Sequence, residues 1–196
     1  MIALRQATGQ PGTASFEVPT PLGREGIAAG GVLGAATVAM GLISGLFYAF
    51  ACAVMLGLAR TDDRTLVDVA QKINVAILNP VFGMSFFGAL GLTATAAVLS
   101  HRLGPGKAFR WVVTALGLYV CALAITIGAS VPLNDALARA GDPARIANLA
   151  AVRHRFEGPW VAWNITRTVL STMAFACLVR ALVVHGREQG KRQALS

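Results

Sequence analysis

The chain has 196 residues, of which 55% are hydrophobic and only 13% charged, with a formal net charge of +8. Soluble domains carry about 25% charged residues, so much of the usual solvated surface is missing, and the mean hydropathy is +0.62. This excludes a disordered chain, a coiled coil and an ordinary water-soluble enzyme, and describes an all-α polytopic membrane protein. A nucleic-acid binder would gather its basic residues on one soluble face. Here long uncharged runs separate them, so the charge reads as basic loops against anionic lipid headgroups. Cys52, Cys121 and Cys177 each lie in an apolar run, without metal-ligand spacing, and read as small buried hydrophobes. Ala49-Phe50-Ala51-Cys52 is a poor lipoprotein cleavage box, because the apolar run before it is too long.

Residues 1–25, rich in Pro, Gly, Thr and Ser, read as a flexible N-terminal tail, followed by one transmembrane domain over 26–185. Residues 27–59 carry no charge, which exceeds the ~20 residues needed to span hydrocarbon, so the first helix should tilt or project. Its Gly30, Gly34, Gly41 and Gly45 form two small-xxx-small pairs suited to close helix approach. In residues 60–78, Leu66, Val69, Ile73 and Ala76 make an apolar stripe among charges, as in a helix lying at the interface or capping a bundle. Asn79-Pro80 breaks it and starts the next helix. The spans are predicted at about 29–58, 80–100, 111–131 and 160–184, a four-helix bundle. Span three should end at Pro132, and a helical stretch from Asp142-Pro143 toward Phe156 should end at Gly158-Pro159. Residues 186–196 read as a basic C-terminal tail.

Four spans place both tails and the loop 101–110 on one side, and residues 60–79 and 133–159 on the other. Lys and Arg divide nearly evenly between the sides, nine against eight. The short loop and both tails are the more strongly basic segments, so a multi-pass protein of the cell membrane with cytoplasmic termini is expected. There is no internal repeat to suggest an inverted-repeat transporter.

Glu157, Trp160, Asn164, Arg167 and Ser171 recur at steps of three or four along one helical face. Arg167 lies about 10 Å beyond Trp160 along the helix. An intramembrane arginine costs ~2.5–3.5 kcal/mol to insert, so it should point into the bundle. It either pairs with Glu157 or with freed carbonyls, or it binds an anionic intermediate. Tyr48, Asn79, Asn134 and Asp135 fall toward the same end. Asn79 could equally cap a helix, Asn134 and Asp135 form a turn, and Tyr48 belong to an aromatic belt. Together with the Trp160–Arg167 face they outline a polar pocket at the mouth of an apolar bundle, suited to a flat hydrophobic ligand. His154 and Glu157, three apart, could serve as a base and its partner. A metal site is not expected, since too few ligands share that side. His101 and His185 read as solvated loop residues.

Several short motifs carry a resemblance: Phe47-Tyr48-Ala49-Phe50 with Cys52-Ala53-Val54-Met55, Ala76-Ile77-Leu78-Asn79-Pro80 and Val131-Pro132-Leu133-Asn134, then Arg155-Phe156-Glu157-Gly158-Pro159-Trp160 with Trp163-Asn164 and Arg167-Thr168. Over about residues 40–180 the chain resembles the anthrone oxygenase-like membrane family. The resemblance implies a four-span helical bundle and, for some members, oxidation of anthrones to anthraquinones with dioxygen as co-substrate and no established cofactor. On that expectation His154 or Glu157 takes a proton, Arg167, Asn164 and Asn79 hold an oxyanion, Trp160, Trp163 and Tyr48 flank the rings, and Asn134 helps line the substrate site. The alternative is a non-catalytic partner subunit or a lipid- or quinone-binding protein with a purely structural polar network. The partners to expect are membrane lipid and a hydrophobic aromatic small molecule, not nucleic acid. Self-association or pairing with another membrane protein is left open.

Overall fold

The structure, a computed structural model, describes residues 21–194, so residues 1–20 of the expected tail and the last two residues lie outside it. Helix α1 (Pro21–Ala49) starts inside the segment read as tail and runs through a wide π turn (Phe50–Val54) into α2 (Met55–Leu58). Helix α3 (Asp63–Ala76) doubles back, and α4 (Pro80–Arg102) continues in its direction after a break. Helix α5 (Lys107–Ile125), a second π turn (Thr126–Ser130) and α6 (Val131–Arg139) make a third rod, and α7 (Leu149–Gln193) is the fourth. Four stretches are long and apolar enough to cross a membrane: Arg24–Leu58, Pro80–Arg102, Lys107–Arg139 and Leu149–Lys191. The first has 35 residues. At ~1.5 Å each that is about 50 Å, well beyond ~30 Å of hydrocarbon, so it projects from the bilayer.

The rods close into a square in which α1 packs on α4 and α7, and α5 packs on the same two. One end is tied by His185, whose Nε2 lies 3.1 Å from the Gly26 carbonyl oxygen, and by the Lys107 amide, which donates to Glu188. His185 is therefore buried in α7 and not in a solvated loop. Inside the spans, Leu33, Met40, Ile43, Phe86, Tyr119 and Leu178 pack among alanines 36, 89, 96, 115, 122, 174 and 181. Small residues let the backbones approach, which is how helices gain packing energy where lipid removes the hydrophobic drive. The Tyr119 hydroxyl donates to the Phe86 carbonyl at 2.9 Å, so its polar end is satisfied inside the bundle. Val38, Leu42, Phe87, Ile127 and Val169 face outward. So do Cys52 and Cys121; only Cys177 is the buried hydrophobe expected of all three.

A second core joins Met55, Leu66, Val67, Ala70, Leu137, Phe156 and Trp160 from α2, α3, α6 and α7. It forms a smaller bundle on the other end, in which α3 holds the place that α4 holds in the span. The amphipathic segment therefore caps the bundle. Its buried face is Leu66, Val67 and Ala70, with Ala76 exposed. The stripe is rotated from the expected one because Gln71 also turns inward, donating to the Leu137 and Gly141 carbonyls at 2.9 and 3.0 Å. Asp62 caps α3, accepting from the Arg64 and Thr65 amides and the Thr65 hydroxyl. The Thr65 contacts hold its carboxyl below the usual carboxylate range, so the cap stays charged and is lost only as pH falls through that lowered value.

Both prolines expected to end helices lie inside rods. Pro132 stands in the first turn of α6, directly after the π turn. The wider turn leaves room for a ring that would otherwise strike the carbonyl four residues back. Pro159 lies within α7, leaving only the carbonyl of exposed Arg155 without its helical donor. Helix α7 starts at Leu149 and not at Asp142, with Asn148 accepting from the Ala151 amide at 2.9 Å, and it absorbs most of the expected C-terminal tail.

Arg153 holds the α2–α3 turn onto α7. Its guanidinium donates to the Ala59 and Thr61 carbonyls, each at 2.9 Å, to Asp63 at 3.1 Å and to Glu157 at 2.7 Å. Arg153→Met should cost about 1–3 kcal/mol of stability, read by thermal unfolding in detergent. Arg153→Lys should recover little, because one ammonium cannot reach four acceptors.

The glycine pairs do not act alike. A Cβ on Gly41 would meet the Phe175 ring at 3.1 Å, whereas one on Gly45 would meet nothing within 4 Å. Gly41→Leu should thus separate α1 from α7 and lower the unfolding temperature, while Gly45→Leu should leave it unchanged. Equal sensitivity of the two variants in the same thermal assay would contradict this packing.

Candidate functional site

All four rods are irregular at the level where the two cores meet. The π turns interrupt the first and third, residues 77–79 break the second, and Pro159, next to Trp160, removes one hydrogen bond from the otherwise continuous α7. A cavity of about 110 Å³ lies there. It is lined by Phe47 and Phe50 from the first rod, Ile73, Asn74 and Ile77 from α3, and Phe82 and Phe86 from α4. Thr126, Ser130 and Asn134 come from the third rod, and Trp160, Asn164 and Arg167 from α7. π turns recur at functional sites because the extra residue swings side chains out of helical register; here they bring Phe50 and Ser130 to the cavity.

Arg167 is 5% exposed. Its guanidinium carbon lies 4.6 Å from the Phe47 ring centroid and 5.6 Å from that of Trp160. Nη2 donates to Asn164 Oδ1 at 3.3 Å and Nη1 to Thr126 Oγ1 at 3.5 Å. Asn164 in turn donates to the Phe47 carbonyl at 3.1 Å, which fixes its oxygen toward the arginine. Trp160 Nε1 donates to Asn134 Oδ1 at 2.9 Å. Among the described residues no carboxylate pairs with Arg167; Glu157, one of the partners expected for it, is held by Arg153.

Three buried side-chain polar atoms among the described residues have no hydrogen-bond partner: Arg167 Nε, Ser130 Oγ and Asn74 Nδ2. All three belong to residues lining this one cavity. Buried polar groups are rarely orphaned, and each costs about 1–3 kcal/mol when it is. Three together, one of them on an unpaired guanidinium, form a donor set for an acceptor-rich or anionic ligand. The aromatic walls, with Phe50 and Trp160 centroids 5.7 Å apart and Phe82 stacked on Phe86 at 5.3 Å, suit a flat ring.

Of the residues singled out from the sequence, Arg167, Asn164, Trp160 and Asn134 meet at the cavity. Tyr48 and Trp163 are 59% and 41% exposed on the outer surface. His154 is exposed, and Glu157 is engaged by Arg153. Asn79 caps α4, accepting from the Phe82 amide and donating to the Ala76 carbonyl. The sequence reading missed Asn74, Thr126, Ser130 and the phenylalanines. Asn74 could have been noticed as a polar residue seven past Val67 on the inward face of α3. Thr126 and Ser130 could have been noticed as two hydroxyls four apart just before Pro132. Among the described residues no group of three or more His, Cys, Asp or Glu could hold a metal ion.

No curated protein and no solved structure matches the chain. A family model does: that of anthrone oxygenase matches residues 79–177. The matched stretch contains α4, α5, the second π turn, α6 and the part of α7 that carries Trp160, Asn164 and Arg167. It covers just over half of the 196 residues and most of the cavity's polar lining, and the chain belongs to the anthrone oxygenase family.

Proposed function

We infer that the protein is a membrane oxygenase acting on a hydrophobic phenolic or anthrone-type substrate with dioxygen. The observation that carries this reading is the unpaired Arg167 guanidinium, set in an aromatic-walled cavity beside orphaned Ser130 and Asn74. An anthrone carries an acidic methylene, because losing its proton leaves a delocalised anion with charge on the ring oxygen. Arg167, with Ser130 and Asn74, binds that oxygen and so favours the ionised form. The anion is electron-rich enough to be oxidised by dioxygen directly. Transfer to dioxygen and recombination form a carbon–oxygen bond at the former methylene. Loss of the second methylene hydrogen, with cleavage of the oxygen–oxygen bond, then gives the quinone and one water. The walls Phe47, Phe82 and Trp160 keep the ring planar and shield the anion from bulk water.

No carboxylate or imidazole lines the cavity, so on this reading the substrate gives its first proton to water before it is enclosed, and the contribution of the protein is stabilisation of the anion. The same feature favours the second reading, a binding protein for an already ionised lipid-soluble phenol or quinone that it does not turn over. That protein would bind the ligand without raising oxygen uptake above its spontaneous rate.

Arg167→Met should lower oxygen uptake on anthrone by about a hundred-fold, with folding retained, because the substitution removes a buried cation without orphaning an acid. Arg167→Lys should keep charge but lose the fork and recover only part of the rate. Adding Glu157→Gln should change stability additively, since the two residues share no contact. A fully active Arg167→Met protein would remove the oxyanion role.

The reading also puts the protein in the cell membrane with cytoplasmic termini, supported by the basic tails and the joined ends of α1 and α7. A membrane-impermeant thiol reagent on intact cells should then label Gly141→Cys and spare Ser196→Cys; the reverse pattern would invert the topology.

A further inference from the structure

The cavity is small for its ligand class. Pockets for multi-ring molecules run about 300–1,000 Å³, and this one holds about 110 Å³, enough for the oxygen-bearing edge of one ring. A second void of about 350 Å³ lies beside it, between α1 and α4 beneath the end of α3. Leu46, Ile77 and Phe82 line both. Its outer walls include Leu42 and Val81, 62% and 68% exposed on the surface that lipid would cover. These shared residues flank the break at residues 77–79, where α3 gives way to α4.

Their chemistries differ. The inner cavity holds all the orphaned donors. In the groove, the Ser85 hydroxyl already donates to the Val81 carbonyl at 2.9 Å, and Asn79 is engaged in its caps. We propose that the groove is a second subsite: the substrate is a bilayer-dissolved amphiphile that enters sideways between α1 and α4. Its ionisable oxygen goes first to Arg167, and its apolar body lies along Leu42, Val81 and Ser85. This rests on the anion-binding reading of Arg167. An apolar groove open to lipid adds little hydrophobic drive, since lipid tails are equally apolar. Its role is steric. It admits molecules whose bodies exceed the cavity, and its width sets which bodies pass.

The test uses 2-nitrophenol, which is cavity-sized, and 4-octyl-2-nitrophenol, whose chain projects away from the oxygen. Binding is read in detergent by quenching of Trp160 fluorescence in a Trp111→Phe/Trp163→Phe background. Ser85→Phe and Leu42→Phe, on opposite walls, should each weaken the octyl probe by about ten-fold, as overpacking does, and leave 2-nitrophenol unchanged. The smaller Ser85→Leu replaces either variant that does not fold. Unchanged binding of the octyl probe in both variants, or equal loss of both probes, overturns the groove as a subsite. So does failure of the octyl probe to bind the parent protein, the result expected if a lipid chain fills the groove. Arg167→Met should lose both probes. If it loses neither while the groove variants still discriminate, the anion-binding reading fails and the lateral subsite stands.

Discussion

A guanidinium buried among helices, without a carboxylate to neutralise it, is the constraint around which this molecule is arranged. An isolated ion inside an apolar bundle is expensive, and Arg167 is tolerated because everything near it supplies partial negative charge. The faces of Phe47 and Trp160, the Asn164 amide oxygen and the Thr126 hydroxyl all point at it. None of these is an anion, so the positive charge is solvated but not cancelled. Glu157 lies ten residues away on the same helix, about 15 Å along its axis, too far to neutralise it. Arg153, one turn away, engages that carboxylate.

That arrangement requires space at one level of the bundle, and regular helices packed through alanine would not leave any. The space comes from departures from helical regularity that coincide: two π turns, a proline-started helix after a break, and a proline inside α7. Each is tolerated locally. The π turn makes room for the Pro132 ring, Asn79 satisfies the start of α4, and the carbonyl freed by Pro159 lies on the exposed side. The two hydrophobic cores lie above and below these segments, and the cavity is walled mostly by the rods, with Ile77 and Leu78 of the break completing it.

The break between α3 and α4 has a further consequence in the membrane. At that break Leu46, Ile77 and Phe82 line both the inner cavity and the groove between α1 and α4. Water-soluble enzymes admit substrate from solvent. A protein whose ligands dissolve in the bilayer gains from an opening that faces lipid, because the local concentration of such ligands is highest there. The polar donors stay inside and the apolar walls outside, in the order in which an amphiphile would meet them.

The amino-acid sequence by itself determined the helical class, the four spans and the family, because apolar runs longer than a bilayer is thick permit little else. It also located Asn164, Arg167 and Trp160 on one face, since helical period alone aligns them. It could not decide which partner Arg167 takes. Arg153 lies one turn from Glu157, but only the position of the α2–α3 turn gives Arg153 its four acceptors. Nor could it tell Gly41 from Gly45, or the inward face of α3, because those depend on where Phe175 and Gln71 pack. Asn74, Thr126 and Ser130 were hidden for the same reason. Asn74 lies on α3 and the two hydroxyls within the second π turn, and only packing of the rods brings them to a common void.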